Sequence, residues 1–480
     1  KPTTDKQDMS RLLSLKKLAD IVEGVLHAGP GEVSQQSIVG ISTDSRHIKP
    51  GELFIAVSGE HFDGHDFVIN ALEQDAAGAL VSDEWYMEHG KRMPEHGAVV
   101  SVPDVLNALQ MLAGWHRMQF DVRVVAVTGS NGKTTTKDMI TAILETQHHP
   151  LKTPGNLNSQ IGTPQVLLSL NASHDLAVLE LGMNHAGEIS RLAKMVRPSV
   201  AVITNVGPAH LENLKTLEGV GRAKGELLDF LSPDGWAVLN ADDPYVMAQR
   251  GRTKARILTF GTGIGSDIKL ENSTSSIAGS TFELNDGSSY HLRMPGEHQV
   301  KNAMAAIAVA RLLGIADDTV KSVLSALQPS GMRMCYLNLG DIQILNDTYN
   351  ANPMSTVSAL STLSMTSKRK VAILGDMLEL GEISGSAHRK VGQTAAHSCD
   401  ILITVGEYSK NMTDGAIATG MNISDIFQCE DTSTAAEMAM SLIKTGDVIL
   451  VKGSRGMKME IIVEAISAFV KAEGYSACTT

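Results

Sequence analysis

Residues 125–139 read VAVTGSNGKTTTKDM, an apolar run that enters two glycines, a lysine and a row of threonines. These residue types suit the binding of a phosphate. Gly129 and Gly132 let the backbone around Ser130 and Asn131 approach an anion, the start of the following helix offers its positive end, and Lys133 adds a point charge. Thr134 or Thr135 supplies a hydroxyl for the magnesium ion that accompanies a nucleoside triphosphate. The spacing G-x-x-G-K-T is shorter than the widespread G-x-x-x-x-G-K-[ST], and alone it also suits an ordinary helix N-terminus.

Two neighbouring strand ends carry further candidates. AVLELG brings Glu180 to the end of an apolar run, and AVITNVGPAH places His210 just beyond another. Ligands of open parallel sheets sit past the carboxyl ends of the strands, so a carboxylate and an imidazole there suit a divalent metal. Each separately also suits a turn or a helix cap. GRAKGELLDF sets Lys224 on an amphipathic helix, where a solvated lysine is the ordinary outcome.

The elements that must hold these residues follow from periodicity. VRVVAVTG, HDLAVLELG, PSVAVITNVG and GWAVLNADD are short Val-, Ile- and Leu-rich runs separated by helix-forming sequence. Apolar on both faces, they read as buried parallel strands of a doubly wound sheet. NAMAAIAVARLLG, 302–314, reads as an Ala-rich helix stopped by Gly314. Before this region, LSLKKLADIVEG reads as a helix and GELFIAV and AAGALVS as strands of a small α/β module. After it, IQILND, KVAILGD, DILITVG and DVILVKGS form a second strand series, with LQPSGMR, 327–333, as the hinge.

Length and composition agree with this division. A chain of 480 residues is expected to hold roughly three domains. A net charge of −12 argues against a nucleic-acid surface, which needs clustered excess Lys and Arg. No run of about 18 apolar residues suggests a membrane span, and a cytoplasmic protein is expected. Cys335, Cys399, Cys429 and Cys478 lack metal or disulfide-framework spacing and read as reduced thiols. The first ten residues are polar and expected to be disordered.

Taken together, TGSNGKTTT, ELGMNHAGEI, TNVGPAHLE, AKGELL, GEHQVKNAMAA and NDTYNANPMS resemble the Mur ligases, the ATP-dependent amide ligases of peptidoglycan assembly. The motifs run from STDSR at 42–46 to KGSRGMKME at 452–460 in the family's order, and the family's short phosphate loop accounts for the spacing of residues 129–134. The resemblance implies an α/β protein of three domains: residues 1–101 gripping a UDP-sugar, 102–329 a central P-loop ATPase with a parallel sheet, and 330–480 a Rossmann-like doubly wound domain for the incoming group.

Among family members the motifs fit the one that joins D-alanyl-D-alanine to UDP-N-acetylmuramoyl-tripeptide. The resemblance implies that the γ-phosphate of ATP passes to the substrate carboxylate and that the amine attacks the acyl phosphate. By the same resemblance Lys133, Lys224 and His210 are catalytic, and Thr134, Glu180, His210 and a carbamylated Lys224 hold magnesium. Residues 129–135, His298, Asn302, Arg333 and Asp347 contact ATP. Ser45, Arg46, Asn156 and Asn158 contact the UDP-sugar, with Ser159 standing where the family has a second Asn. Tyr349, Asn350, Asn352, Ser454 and Arg455 receive the dipeptide.

The residues alone leave plainer readings open: Asn302 as a helix cap, Arg333 as a surface ion-pair partner, NANP as a turn before a helix starting at Pro353, and Arg455 as a loop cap. A monomer is expected. A sister ligase adding a single amino acid is the alternative, although NDTYNANP stands where the ligase for diaminopimelate or lysine carries D-N-P-R. A nucleotide switch without ligase activity is the more distant one.

Overall fold

The computed structural model describes residues 13–28, 37–59, 62–94, 97–329 and 331–472. The first ten residues and Cys478 lie outside them. The chain packs as two compact units, one of residues 1–126, 148–183 and 190–198, the other of residues 127–147, 184–189 and 199–480.

In the first unit, Leu15, Leu18, Ala19 and Val22 repeat at helical spacing and are all buried, and Ser14 caps their helix, Leu15–Val22, by accepting from Lys17 N–H. The strands are β1 (Val25–Ala28), β2 (Gly40–Ser42), β3 (Glu52–Ile55), β4 (Gly78–Ser82) and β5 (Ala98–Val102). Their order is β1-β5-β4-β3-β2, parallel except for the antiparallel β1–β5 pair. GELFIAV and AAGALVS supply β3 and β4, as their patterns predict. The chain passes to the second unit within β6 (Arg123–Thr128). Back in the first unit, β7 (Pro150–Lys152) and the wholly buried β8 (Leu176–Glu180) pair in parallel.

In the second unit, β9 (Val200–Ile203), β10 (Trp236–Asn240) and β11 (Arg256–Gly261) are parallel neighbours. Parallel pairing, expected for the central region, reaches the first residues of the next strand, beside β11, and stops there. The strands β12 (Ile268–Ser276), β13 (Gly279–Leu284) and β14 (Ser289–Leu292) form an antiparallel ribbon. Their side chains alternate between buried and exposed in β13 and β14, the mark of a sheet covered on one face, and the turn between those two strands contains Gly287 at φ +79°. The Ala-rich helix spans Glu297–Leu312, so it begins before residue 302, because its first turn is amphipathic rather than Ala-rich. It ends as expected, with Gly314 at φ +80°.

The last sheet contains β15 (Cys335–Leu339), β16 (Ile342–Asp347), β17 (Lys370–Gly375), β18 (Ile401–Val405), β19 (Ile426–Cys429) and β20 (Val448–Lys452). Its order is β15-β16-β20-β17-β18-β19, parallel apart from the edge strand β15. Alternate residues feed two cores. Leu345, Ala372, Leu402 and Leu450 pack with the helices Pro353–Ser364 and Ser384–Ser398. Ile344, Val371, Ile403 and Ile449 pack with Thr432–Leu442 and Glu460–Ala472. Helices therefore cover both faces, as a doubly wound sheet requires. Among the described residues, no helix is long and apolar enough to cross a membrane, and Cys335, Cys399 and Cys429 are free thiols.

Candidate active site

The loop between β6 and the helix Lys133–Leu144 has a backbone only glycine accommodates. Gly129 has φ +152° and Gly132 φ +78°. A Cβ on the first would fall 1.9 Å from Thr204 Oγ1, and on the second 2.2 Å from Asn302 Oδ1. The loop is fixed by the end of β9. Ser130 N–H donates to Asn205 O at 2.9 Å, and Asn131 N–H donates to Asn205 Oδ1 at 2.9 Å. Asn131 O in turn accepts from Thr204 Oγ1 at 2.6 Å and Asn205 Nδ2 at 3.0 Å. Thr204 and Asn205 escaped the sequence reading, although the TNVG that carries them was in view.

Lys133 Nζ donates to Gly129 O at 2.9 Å, folding its charge over the loop. Thr134 is buried in the first helical turn, while Thr135 lines a small cavity with Gln299, Pro329 and Arg333. Asn302 is not a helix cap: it lies inside Glu297–Leu312 with its carboxamide against Gly132, and its Nδ2 donates to Gln299 Oε1 at 3.1 Å.

Lys224 is 2% exposed on the helix Leu217–Gly225. Burial, and then repulsion from Lys133, hold its amine well below the usual lysine range. The solvated-lysine reading is thereby excluded. His210 occupies the N-cap of Leu211–Leu214 with φ +57°, and its Nδ1 lies 2.7 Å from Glu379 Oε2. Glu180, at the end of β8, is buried and accepts from Asn158 Nδ2 at 2.6 Å. Among the described residues, no three His, Cys, Asp or Glu side chains cluster to hold a metal. A magnesium ion bound through hydroxyl and carboxylate oxygens fits such a site only with phosphate oxygens and water completing its shell, which is the usual habit of that ion.

The residues expected to contact ATP and the dipeptide from the C-terminal region are interlocked. Arg333 stacks its guanidinium 3.6 Å from the Tyr349 ring centroid, joining two residues assigned to different ligands. Asp347 is ion-paired with buried Lys452 at 2.6 Å and accepts from Met334 N–H at 3.1 Å. His298 faces this pair, and burial pushes its imidazole down to about 4. Asn350 accepts from Lys452 Nζ through its backbone oxygen at 2.8 Å.

Asn352 caps Pro353–Ser364 in a capping box, so the turn-and-helix reading holds, yet its Nδ2 also donates to Asn131 Oδ1 at 2.6 Å. Ser454 is buried, accepting from Leu378 N–H and donating to Ala351 O. Arg455 reaches Glu460 at 2.8 Å. Lys452 and Glu379 carried no sequence signal of their own.

In the first unit, Thr43 of STDSR accepts from Gln165 Nε2 at 2.6 Å, bringing that motif beside the helix that follows GNLNSQIG. Ser45 is buried and Arg46 exposed. The Arg46 guanidinium, bonded to Asp44 at 2.8 Å, holds that carboxyl well below the usual range. Asn156 is exposed, and Ser159 Oγ accepts from Gly162 N–H at the start of the helix Gly162–Leu168.

Comparison with known proteins matches three successive stretches of the chain. The Mur ligase family, catalytic domain, matches residues 37–117, the Mur ligase middle domain 127–310, and the Mur ligase glutamate ligase domain 332–455. A UDP-N-acetylmuramoyl-tripeptide–D-alanyl-D-alanine ligase of Bacillus subtilis is 38% identical over 94% of this chain and 97% of its own. The chain belongs to the Mur ligase family. The Escherichia coli enzyme of the same name is 35% identical, covering 95% of this Mur ligase and 98% of itself. A crystal structure of MurF from Acinetobacter baumannii superposes with a TM-score of 0.85 at 32% identity, covering 95% of this chain and 98% of that one. The MurF ligase of Thermotoga maritima in complex with ADP does so with a TM-score of 0.79 at 28% identity, covering 90% and 98%. This Mur ligase is thus a three-domain α/β protein with mixed, largely parallel sheets.

Proposed function

We propose that this Mur ligase joins D-alanyl-D-alanine to the terminal carboxylate of UDP-N-acetylmuramoyl-tripeptide, converting ATP to ADP and phosphate and yielding the pentapeptide precursor of peptidoglycan. The names of relatives matched over nearly their whole length support the substrates. The observation that carries the reaction class is a glycine-shaped phosphate loop together with a buried Lys224, whose amine burial and then repulsion from Lys133 hold well below the usual lysine range.

The chemistry joins two anions, so positive charge must gather where they meet. Lys133 and the N–H groups opening Lys133–Leu144 provide it from the protein. A substrate carboxylate oxygen attacks the γ-phosphorus and displaces ADP. The dipeptide amine then attacks the acyl carbon, and phosphate leaves from the tetrahedral intermediate. No side-chain nucleophile is needed, because orientation and charge neutralisation supply the rate.

Thr134, Glu180, His210 and a carbamylated Lys224 are the proposed magnesium ligands; the bound ion offsets the charge of the phosphates. Carbamylation requires a neutral amine, which attacks carbon dioxide and releases a proton, and the environment of Lys224 favours that form. Arg333 is assigned to phosphate, Asp347 to the ribose side, and Asn302 and His298 to the adenine side. Tyr349, Asn350, Asn352, Ser454 and Arg455 are assigned to the dipeptide, and Ser45, Arg46, Asn156 and Asn158 to the UDP-sugar. We assign domains to residues 1–101, 102–329 and 330–480, and a monomeric, cytoplasmic state.

The test is phosphate release from magnesium ATP and UDP-N-acetylmuramoyl-tripeptide, with D-alanyl-D-alanine compared against single amino acids. Release only with the dipeptide, with a product heavier by two alanine residues, supports the reading. Release with glutamate, lysine or diaminopimelate moves the protein to a sister ligase. Slow hydrolysis independent of any acceptor makes it a switch.

A further inference from the structure

Asp347 and Lys452 end β16 and β20 and stand opposite each other in that parallel pair, at the carboxyl edge where ligands of such sheets sit. Lys452 is 2% exposed, and its ammonium is shared between two acceptors. Nζ donates to Asp347 Oδ2 at 2.6 Å and to Asn350 O at 2.8 Å, closing the turn that leads from β16 towards the helix Pro353–Ser364. The other Asp347 oxygen accepts from Met334 N–H at 3.1 Å, which ties the carboxylate to the chain just past residues 327–333.

The residues around that carbonyl are held as well. Asn350 Oδ1 accepts from Arg455 N–H at 3.4 Å, Ala351 O accepts from Ser454 Oγ at 3.3 Å, and Asn352 Nδ2 donates to Asn131 Oδ1 in the phosphate loop at 2.6 Å. Residues 350–352 therefore bridge the strand ends of the last sheet and the phosphate loop. Lys452 holds the first carbonyl of that bridge.

Stability alone is a poor reason for such a pair. Desolvating two charges offsets most of their attraction, and neutral side chains of like volume often serve a fold as well. What an apolar side chain cannot do is hold a carboxylate and a carbonyl at a fixed separation. We propose that Lys452 is a positioning residue for the ligation, orienting Asp347, assigned to the nucleotide, and fixing the carbonyl of Asn350, assigned to the dipeptide. One cation then sets contacts for both ligands. This inference rests on the ligase reading.

Lys452→Met alone would strand a buried carboxylate, so the change is made together with Asp347→Asn, which removes both charges. The full-length wild type, Asp347→Asn and the double variant are compared in ligation with magnesium ATP, UDP-N-acetylmuramoyl-tripeptide and D-alanyl-D-alanine. Asp347→Asn keeps an oxygen for the ammonium and leaves the bond to Asn350 in place. Its KM for ATP is expected to rise by about 10-fold, with KM for the dipeptide within about twofold of wild type. The double variant is expected to unfold at a urea concentration near that of wild type, while its KM for the dipeptide rises by about 10-fold over Asp347→Asn, the effect of a lost charge-assisted hydrogen bond. Loss of folded protein alone would lower kcat and leave KM where it was. A dipeptide KM within about twofold of that of Asp347→Asn overturns the proposal, as does a double variant that does not fold, since the pair then serves stability. A wild type that does not ligate the dipeptide overturns the ligase reading itself, whereas a ligating wild type with unshifted variants overturns this inference alone.

Discussion

Gly132→Ala puts two separable costs on the phosphate loop. At φ +78° an alanine pays the left-handed penalty, about 1–2 kcal/mol. Its Cβ would also fall 2.2 Å from Asn302 Oδ1, well inside contact distance. The carboxamide cannot simply swing away, because Asn302 is 6% exposed and bonded to Gln299. Overpacking of this kind costs about 1–3 kcal/mol, so the sum is roughly 2–5 kcal/mol. Asn302→Ala alone strands the Gln299 amide and costs about 1–3 kcal/mol. In the double variant the collision is gone, so its cost falls short of the two single costs added together by about 1–3 kcal/mol. Urea unfolding of nucleotide-free protein reads this, with Trp85 and Trp115 replaced by Phe so that Trp236 on β10 reports the second unit. Strictly additive costs would refute the collision and leave only the backbone term.

Three further outcomes follow from polar side chains. Lys224→Met keeps the side-chain volume and removes a buried amine; it is expected to raise resistance to urea while lowering ligation by about 100-fold or more, and a loss of stability would count against a desolvation cost at that amine. Because His298 titrates at about 4 when folded and 6.5 when free, the unfolded chain binds more protons between those values, so stability is present above 6.5 and declines as pH falls. Denaturation at about pH 7 and about pH 5 should differ by about 2 kcal/mol from this residue, and a His298→Gln variant should lack that portion. Asn352→Ala should cost about 1 kcal/mol of stability through the lost cap, while Asn352→Ser keeps the cap but not the reach to Asn131; both should raise KM for ATP by the same few-fold factor, and unequal factors would sever the link between cap and loop.

Parallel strands and glycine turns were legible because they are written in short-range pattern. The runs that became β9, β10 and β17 are apolar on both faces, and Gly129, Gly132 and Gly314 mark backbone that other residues resist. The ribbon β12–β14 has no such signal because its Ser- and Thr-rich strands lack that apolar density, and only β13 and β14 alternate. At the site, residue types named Lys133, Glu180 and His210, whereas the burial of Lys224 depends on contacts made far along the chain and has no local signature. The same holds for Glu379, which lies beside His210, distant in sequence. Arg333 on Tyr349 is a further case, since neither residue type predicts the other as its partner.

Hydrogen bonds with Thr204 and Asn205 shape the phosphate loop from within the protein, without calling on any group of a nucleotide. Association therefore need not spend binding free energy on ordering that backbone. The corresponding calorimetric signature is a small heat-capacity change at the loop, set by desolvation of the phosphates rather than by coupled folding. A loop that does not fold on binding also has no fold to lose on departure, so its bonds alone give ADP and ATP the same cradle. Discrimination between the two must then fall to groups that sense the γ-phosphate, foremost the ammonium of Lys133.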